Sequence, residues 1–403
     1  MDRLIREIKV TERASTIQYA IRDVMEFAEK LEKTGRDIIY LNIGDPVKFD
    51  FDTPEHVKRA LIDAVTAGEN WYGQSQGLRE LRAAICRKED HVNNVEISPD
   101  DVVVTAGVSE GIFMTMAAII DGGDEILVPG PTYPPYSSYA RFFGGTPVSY
   151  RTLEEDGWNP DVDDLRSKIS EKTKGIVIIN PNNPCGAVYN AKIVKQMINV
   201  AAENNLLVLS DEIYDRIVYE AQFVSTASLA KSYPVIGLNG FSKTYLATGW
   251  RLGYLYFYDP EEKLGELKES VKKETRIRLC SNTPVQRAGV AALNGPQDHI
   301  PLLVEKLRQR RDYAWNRLNE IPGISCTKPQ GAFYIFPKIE EIGHRWSSDL
   351  DFVKDVLENA GVLLVHGSGF CTTYGSGHFR GVFLPPVETL ENAFDRLERF
   401  MKT

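Results

Sequence analysis

Six apolar runs, at 102–105, 125–128, 175–179, 206–210, 235–238 and 252–257, recur along the middle of the chain with helical patterns in the gaps. A strand with one wet face alternates apolar and polar residues. These runs do not alternate: Val102-Val103-Val104, Ile176-Val177-Ile178-Ile179 and Leu207-Val208-Leu209 are apolar at every position. Continuous runs mark strands covered on both faces. Strand–helix alternation, clearest at the helical patterns 110–120 and 191–204, points to a mostly parallel sheet with crossover helices. The expected fold class is therefore α/β.

A chain of 403 residues exceeds one ordinary domain, so one large and one smaller domain are expected. The pattern changes after about residue 296. A long charged helix (302–320), strand signals at 331–336, 362–365 and 379–383, a helix at 349–360 and a final helix suit a smaller α+β unit. A helical pattern at 18–32 is expected to pack with this tail. The resulting division is 1–46 as an amino-terminal segment, 47–296 as the large domain and 297–403 as the small one.

Composition excludes several classes. No run of about 18 apolar residues appears, so no membrane span is expected, and the mixed-charge start Met1-Asp2-Arg3-Leu4-Ile5-Arg6 is not a signal peptide. A net charge of -9 argues against nucleic-acid binding. Cys86, Cys185, Cys280, Cys326 and Cys371 are odd in number and form no CxxC pair, and the six histidines show no HxxxH or HExxH spacing. That suits a reducing cytoplasm and argues against a disulfide framework or a metal site.

The chemistry concentrates in segments at, or just after, the carboxyl ends of the expected strands, where open parallel sheets bind ligands. Thr105-Ala106-Gly107-Val108-Ser109-Glu110 opens a helix, and its free amides with the Ser109 hydroxyl can cradle a phosphate. Tyr133, set among prolines in Pro131-Thr132-Tyr133-Pro134-Pro135-Tyr136, can stack on a flat heterocycle. Asn183 lies in the heavily punctuated turn Asn180-Pro181-Asn182-Asn183-Pro184-Cys185-Gly186 and can donate from its amide. Asp211, in Asp211-Glu212-Ile213-Tyr214, is costly to bury without a cation, and a protonated pyridine nitrogen would be one. Lys243 follows Ser242 and precedes Gly249-Trp250-Arg251. A desolvated lysine amine is a nucleophile suited to a Schiff base with a carbonyl cofactor, and Ser242 and Arg251 can hold that cofactor's phosphate. Arg380, in His378-Phe379-Arg380-Gly381-Val382-Phe383, offers a planar fork for a carboxylate. Singly, most of these have an ordinary explanation as helix cap, packed ring or surface ion pair. Their order along one chain does not.

In that order the chain resembles the fold-type I pyridoxal-phosphate enzymes, specifically the class I aminotransferases. The resemblance runs from about residue 11 to the end. Leu41-Asn42-Ile43-Gly44-Asp45-Pro46, Arg278-Leu279-Cys280, Gly331-Ala332-Phe333-Tyr334 and Val365-His366-Gly367-Ser368-Gly369-Phe370 are similar to the alanine aminotransferase branch. The broader family often has proline where this chain has His366 and threonine where it has Cys185; neither change touches a group expected to do chemistry.

The resemblance implies pyridoxal 5'-phosphate as cofactor, amino and 2-oxo acids as substrates, and the following roles. Lys243 holds the cofactor and then serves as general base. Asp211 keeps the pyridine nitrogen protonated. Tyr214 and Asn183 bond the phenolic oxygen, and Tyr133 stacks on the ring. Val108, Ser109, Ser242 and Arg251 hold the phosphate, with Tyr72 reaching it from the neighbouring subunit of a homodimer. Arg380, Asn183 and Gly44 bind the substrate α-carboxylate, and Tyr19 and Arg22 form a gate. Alanine with 2-oxoglutarate is the leading substrate pair. An aspartate or broad-specificity aminotransferase, with Arg276 or Arg278 on the distal carboxylate, is the alternative, and a β-lyase using the same cofactor a further one. A cofactor-binding transcriptional regulator would need an additional DNA-binding domain, for which the charge is wrong.

Overall fold

The computed structural model describes residues 8–15, 17 and 20–403, and of Arg22 and Asp23 the backbone only. Its centre is an eight-stranded sheet. The strands in chain order are β1 (Val102–Thr105), β2 (Glu125–Gly130), β3 (Thr146–Leu153), β4 (Asn159–Pro160), β5 (Thr173–Ile179), β6 (Leu207–Asp211), β7 (Val235–Gly240) and β8 (Gly253–Tyr258). Across the sheet they lie β1-β8-β7-β6-β5-β2-β3-β4. The pairs β2–β3, β2–β5, β5–β6 and β6–β7 are parallel, while β8 runs against both its neighbours and β4 against β3.

The continuous apolar runs have a direct structural cause. Successive side chains of a strand point to opposite faces, and here each face meets its own core. Val102, Val104, Ile176, Ile178 and Val208 pack into one cluster, and Val103, Val177, Ile179 and Leu209 into another on the opposite face. Burying each such side chain is worth roughly 1.5–3 kcal/mol.

The strand carrying Asp211 extends one residue beyond the expected 206–210, because Asp211 still pairs with Leu238. β7 runs to Gly240, which pairs with Gly253. The expected strand 362–365 is two strands: Val362–Leu363 pairs in parallel with Ile39–Tyr40, and Val365–His366 pairs with Phe379–Val382. The helical pattern at 18–32 divides into Ala20–Asp23 and Met25–Glu32.

The carboxyl-terminal elements include helices His299–Asn319, Asp349–Ala360 and Val387–Met401. With them lies a three-stranded antiparallel sheet whose central strand is Phe379–Val382. The amino-terminal segment joins this part: Val24, Ala28 and Leu41 share a core with Leu307, Phe352, Val356 and Leu397. The Val382 amide donates to the Leu41 carbonyl at 2.9 Å. Among the described residues no helix is long and apolar enough to cross a membrane, and no group of three His, Cys, Asp or Glu side chains is placed to hold a metal ion.

Candidate active site

β1, β5, β6 and β7 point the same way, so Thr105, Ile179, Asp211 and Gly240 finish at one edge of the sheet. Above that edge lies a cavity of about 490 Å³. It is lined by Gly44, Val108, Ser109, Tyr133, Asn183, Asp211, Tyr214, Ser242, Lys243, Arg251 and Arg380, together with Ile21, Ile43, Asp45, Ile179, Ile213, Thr248, Gly249 and Tyr334. Segments separated by more than a hundred residues thus converge on one space.

At one end the helix Val108–Ile119 begins beside the Arg251 guanidinium. Arg251 donates to the carbonyls of Thr248 (3.0 Å) and Ala106 (3.3 Å). Gly107 precedes the helix at φ +78, and a Cβ there would sit 2.5 Å from Arg251 Nη2. Only glycine lets the guanidinium lie this close to the helix start. First-turn amides without helical acceptors and an adjacent cation make a receptor for a phosphate-sized anion.

In the middle, Lys243 Nζ donates to the Gly44 carbonyl at 2.7 Å and lies 5.3 Å from the Phe333 ring centre. Burial pushes its amine down to about 8. The Asp45 carboxylate opposes the shift, Arg380 and Arg251 reinforce it, and Asp211 opposes it. Asp45 is itself held by the Thr248 hydroxyl at 2.7 Å. Asp211 is buried and accepts from the Tyr136 hydroxyl (2.9 Å) and the Ile213 amide (3.2 Å). Burial pushes its carboxyl up to about 6, against those two hydrogen bonds and the charge of Lys243. Asp211 forms no ion pair among the described residues, so the cavity holds a carboxylate in want of a cation. The Tyr214 hydroxyl shares a hydrogen bond of 2.7 Å with that of Tyr334, and its ring stands edge-on to Phe333.

At the far end, Arg380 is 1% exposed on the central strand of the three-stranded sheet. Its guanidinium donates to Asn183 Oδ1 at 2.9 Å and to the Asn42 carbonyl, and lies 4.5 Å from the Tyr334 ring and 4.9 Å from the Phe370 ring. Gly44 passes under Tyr334 so closely that a Cβ would lie 2.2 Å from its hydroxyl.

Of the described residues singled out from sequence for the site, Tyr72 does not line the cavity. Tyr72 is 82% exposed on the outer surface. Tyr19 and the Arg22 side chain lie outside the described residues, although Ile21, between them, lines the cavity. Neither arginine considered for a distal carboxylate enters it. Arg276 extends outward toward Glu269 at 3.8 Å. Arg278 is held by Glu110 (2.9 Å), Ser281 (2.7 Å) and the carbonyls of Ser75 and Val104.

The match to the family model "Aminotransferase class I and II" covers residues 36–397, nearly the whole chain. The chain belongs to this aminotransferase family. Among curated relatives, an alanine aminotransferase of Mycobacterium tuberculosis is 40% identical over 96% of this chain and 90% of its own length. The glutamate-pyruvate aminotransferase AlaA of Escherichia coli is 37% identical over 98% of both. Among solved structures, an alanine aminotransferase from Pyrococcus furiosus superposes with a TM-score of 0.96 at 57% identity, covering 98% of this chain and all of that one. The aspartate aminotransferase of Thermus thermophilus with maleate gives 0.89 at 30% identity over 98% of this chain and 100% of that one.

Tyr334, Tyr136, Asp45 and Thr248 are among the residues of the site to which the sequence motifs assign no role. Tyr334 was noticed only as part of a family-like segment. Tyr136 follows Tyr133 by one helical turn, a spacing that puts both on one face of the helix Pro134–Phe142 and its cap. That spacing was the available signal. Tyr136→Phe is expected to raise the Asp211 carboxyl further, because a hydrogen bond to a charged group, worth roughly 1.5–3 kcal/mol, is lost. The expected rise is roughly one to two pH units, read from the carboxyl-carbon NMR titration of the cofactor-free protein. An unchanged midpoint would show that the hydroxyl does not stabilise the carboxylate.

Proposed function

We propose that this aminotransferase moves an amino group between L-alanine and 2-oxoglutarate, using pyridoxal 5'-phosphate held in the cavity. The observation that carries the substrate assignment is the 57% identity to the Pyrococcus furiosus alanine aminotransferase over essentially its whole length. The residues fit the cofactor of this family on three counts: the depressed Lys243 amine, the uncompensated Asp211 carboxylate and the cradle beside Gly107. When bound, pyridoxal phosphate supplies an aldehyde carbon and an electron-withdrawing ring.

The chain's own groups divide the remaining work. Lys243 Nζ holds the cofactor and then takes and returns the proton of the substrate α-carbon; a pKa of about 8 leaves it able to do both near neutrality. Asp211 keeps a proton on the ring nitrogen, and Tyr136 holds the carboxylate in place. Tyr214 and the Asn183 amide bond the phenolic oxygen, and Tyr133 covers the ring. The amides of Val108 and Ser109, with Ser109, Ser242 and Arg251, hold the phosphate. Arg380, Asn183 and the Gly44 amide take the α-carboxylate.

The same reading makes the protein a homodimer in which the exposed Tyr72 reaches the partner's phosphate site, and gives Tyr19 and Arg22 a gating role. It divides the chain at 46/47 and 296/297, and places the enzyme in the cytoplasm, where its five unpaired cysteines suit a reducing compartment. Neither Arg276 nor Arg278 supplies a cation to the cavity of its own chain; aspartate and 2-oxoglutarate both carry a distal carboxylate, so the choice of donor rests on the likeness to alanine aminotransferases. Titrating the loaded enzyme with alanine, glutamate and aspartate tests the assignment, because each true donor bleaches the lysine-linked absorbance. Aspartate acting at low concentration and alanine failing would overturn it.

Arg380→Lys is expected to keep the cofactor's absorbance and weaken alanine and glutamate alike. A lysine retains charge but lacks the planar fork. The loss of roughly 1.5–3 kcal/mol for a charged hydrogen bond corresponds to about ten- to hundredfold weaker binding. A loss confined to glutamate would mean that Arg380 reads the distal carboxylate instead.

A further inference from the structure

Behind the cavity lies a buried charge cluster with no place in the roles above. The Lys88 ammonium, on the helix Arg79–Asn93, is almost enclosed and pairs with both Glu89 (2.9 Å) and Asp215. Burial opposes its charge, but the two carboxylates outweigh that and hold the ammonium above the usual lysine value. Lys88 therefore stays protonated and is no rival to Lys243 as a nucleophile. Its position ties together two segments that carry the proposed chemistry. Asp215 directly follows Tyr214, and its Oδ2 also accepts from the Asn239 amide at 3.0 Å. Asn239, near the end of β7, turns its own Oδ1 back to accept from the Gly240 amide at 2.7 Å. Gly240 begins the short run Gly240-Phe241-Ser242-Lys243.

An amide side chain has a donor end and an acceptor end, so fixing one fixes the other. Asp215 takes the donor end of Asn239, which leaves its oxygen facing the peptide that launches the Lys243 turn. Breaking the link removes one hold on that peptide, which keeps its pairing to Gly253, and leaves the cavity wall untouched. We propose that Asp215 and Asn239, locked by the Lys88 ammonium, are positioning residues that set where the Lys243 amine points. This rests on Lys243 being the residue that holds the cofactor.

The charges facing that amine are Asp45, Asp211, Arg251 and Arg380, with the Tyr214 ring alongside. A displaced turn changes the amine's distance from all of them, and misplacement of about 1 Å at a reacting group costs up to about a hundredfold. The measurement is the rate at which cofactor-free protein captures added pyridoxal phosphate, followed by the lysine-linked absorbance between pH 6 and 9. Asp215→Asn keeps the shape and an acceptor oxygen but removes the charge that locks Lys88. Asn239→Ala removes the link itself. Both are expected to slow capture by about ten- to a hundredfold and to move the midpoint of its pH dependence away from the wild-type value. Tyr254→Phe, which removes a donor to Glu89 on the far side of the cluster, is expected to lower the melting temperature and leave capture unchanged.

Wild-type rate and midpoint in a folded Asp215→Asn protein would overturn the proposal, as would equal slowing by Tyr254→Phe. Should Asn239→Ala fail to fold, the isosteric Asp215→Asn decides alone. Lys243→Ala separates the two levels of the argument: capture persisting there refutes the assignment of Lys243, whereas capture lost there but normal in the Asp215 and Asn239 variants refutes only the positioning role.

Discussion

Lys243→Ala is expected to lower kcat by on the order of 10²–10⁴-fold and to abolish covalent retention of pyridoxal phosphate. On the proposed role, the size follows from the loss of a general base beside the reacting carbon; Lys243 is the only lysine among the described residues that lines the cavity. The amine is also the one whose pKa is brought down to about 8, chiefly by burial. Since only the neutral amine is nucleophilic, capture of the cofactor by the wild-type protein should rise with pH through about 8 and level off above it. An ordinary exposed lysine would level off only above about pH 10.4. Borohydride reduction of the loaded enzyme, followed by peptide mapping, should place the label on the peptide containing Lys243. Label on another lysine, or a variant within tenfold of wild-type turnover, would refute the assignment.

Much of the architecture was legible because the sheet is covered on both faces. Val102, Val103 and Val104 are all buried and all apolar, so the run stands out from its surroundings. The strand Thr146–Leu153, next to the short edge strand, does not: most of its residues are only partly buried or exposed, so no continuous run announces it. The helices Glu55–Thr66 and Arg79–Asn93 precede the first central strand and were missed for a similar reason, since much of their surface is exposed. The split of 362–365 into two strands was illegible in principle. All four residues are buried, and only their partners, Ile39–Tyr40 on one side and Phe379–Val382 on the other, separate them.

The cavity's polar residues were readable from motifs because each sits at a strand end or a punctuated turn. The residues that hold them were harder to find. Tyr136 and Asn239 act through hydrogen bonds spanning 75 and 24 residues, and no local pattern encodes those distances. The fate of Arg278 was equally hidden: Glu110, 168 residues away in sequence, takes its guanidinium.

Asp211→Asn is expected to make the cofactor-free protein more stable and the loaded enzyme at least tenfold slower. Burial raises the folded-state carboxyl to about 6 from an ordinary 3.8. The folded protein therefore binds more protons than the unfolded chain across that window, and stability falls as pH rises through it. Above about pH 6 the full cost is present, on the order of 3 kcal/mol at about 1.4 kcal/mol per pH unit. Asparagine carries no charge to bury and still offers an oxygen to the Tyr136 hydroxyl. Denaturant unfolding of cofactor-free protein should accordingly show the variant more stable at pH 8, with the gap closing as pH falls toward 4. Glu212, also buried and raised to about 7, titrates in both proteins and cancels from the difference. With pyridoxal phosphate added the order should shift toward the wild type, because the carboxylate then has a protonated ring nitrogen to pair with. The asparagine variant loses that charged partner, worth roughly 1.5–3 kcal/mol, which is the origin of the tenfold or greater fall in turnover. A gap of the same size at pH 4 and pH 8 would mean that the carboxylate is not destabilised by burial. Near-normal turnover would mean that the ring nitrogen does not depend on it. On the proposed assignment, Asp211 is kept at the expense of the empty fold's stability, and the bound cofactor would make its charge favourable.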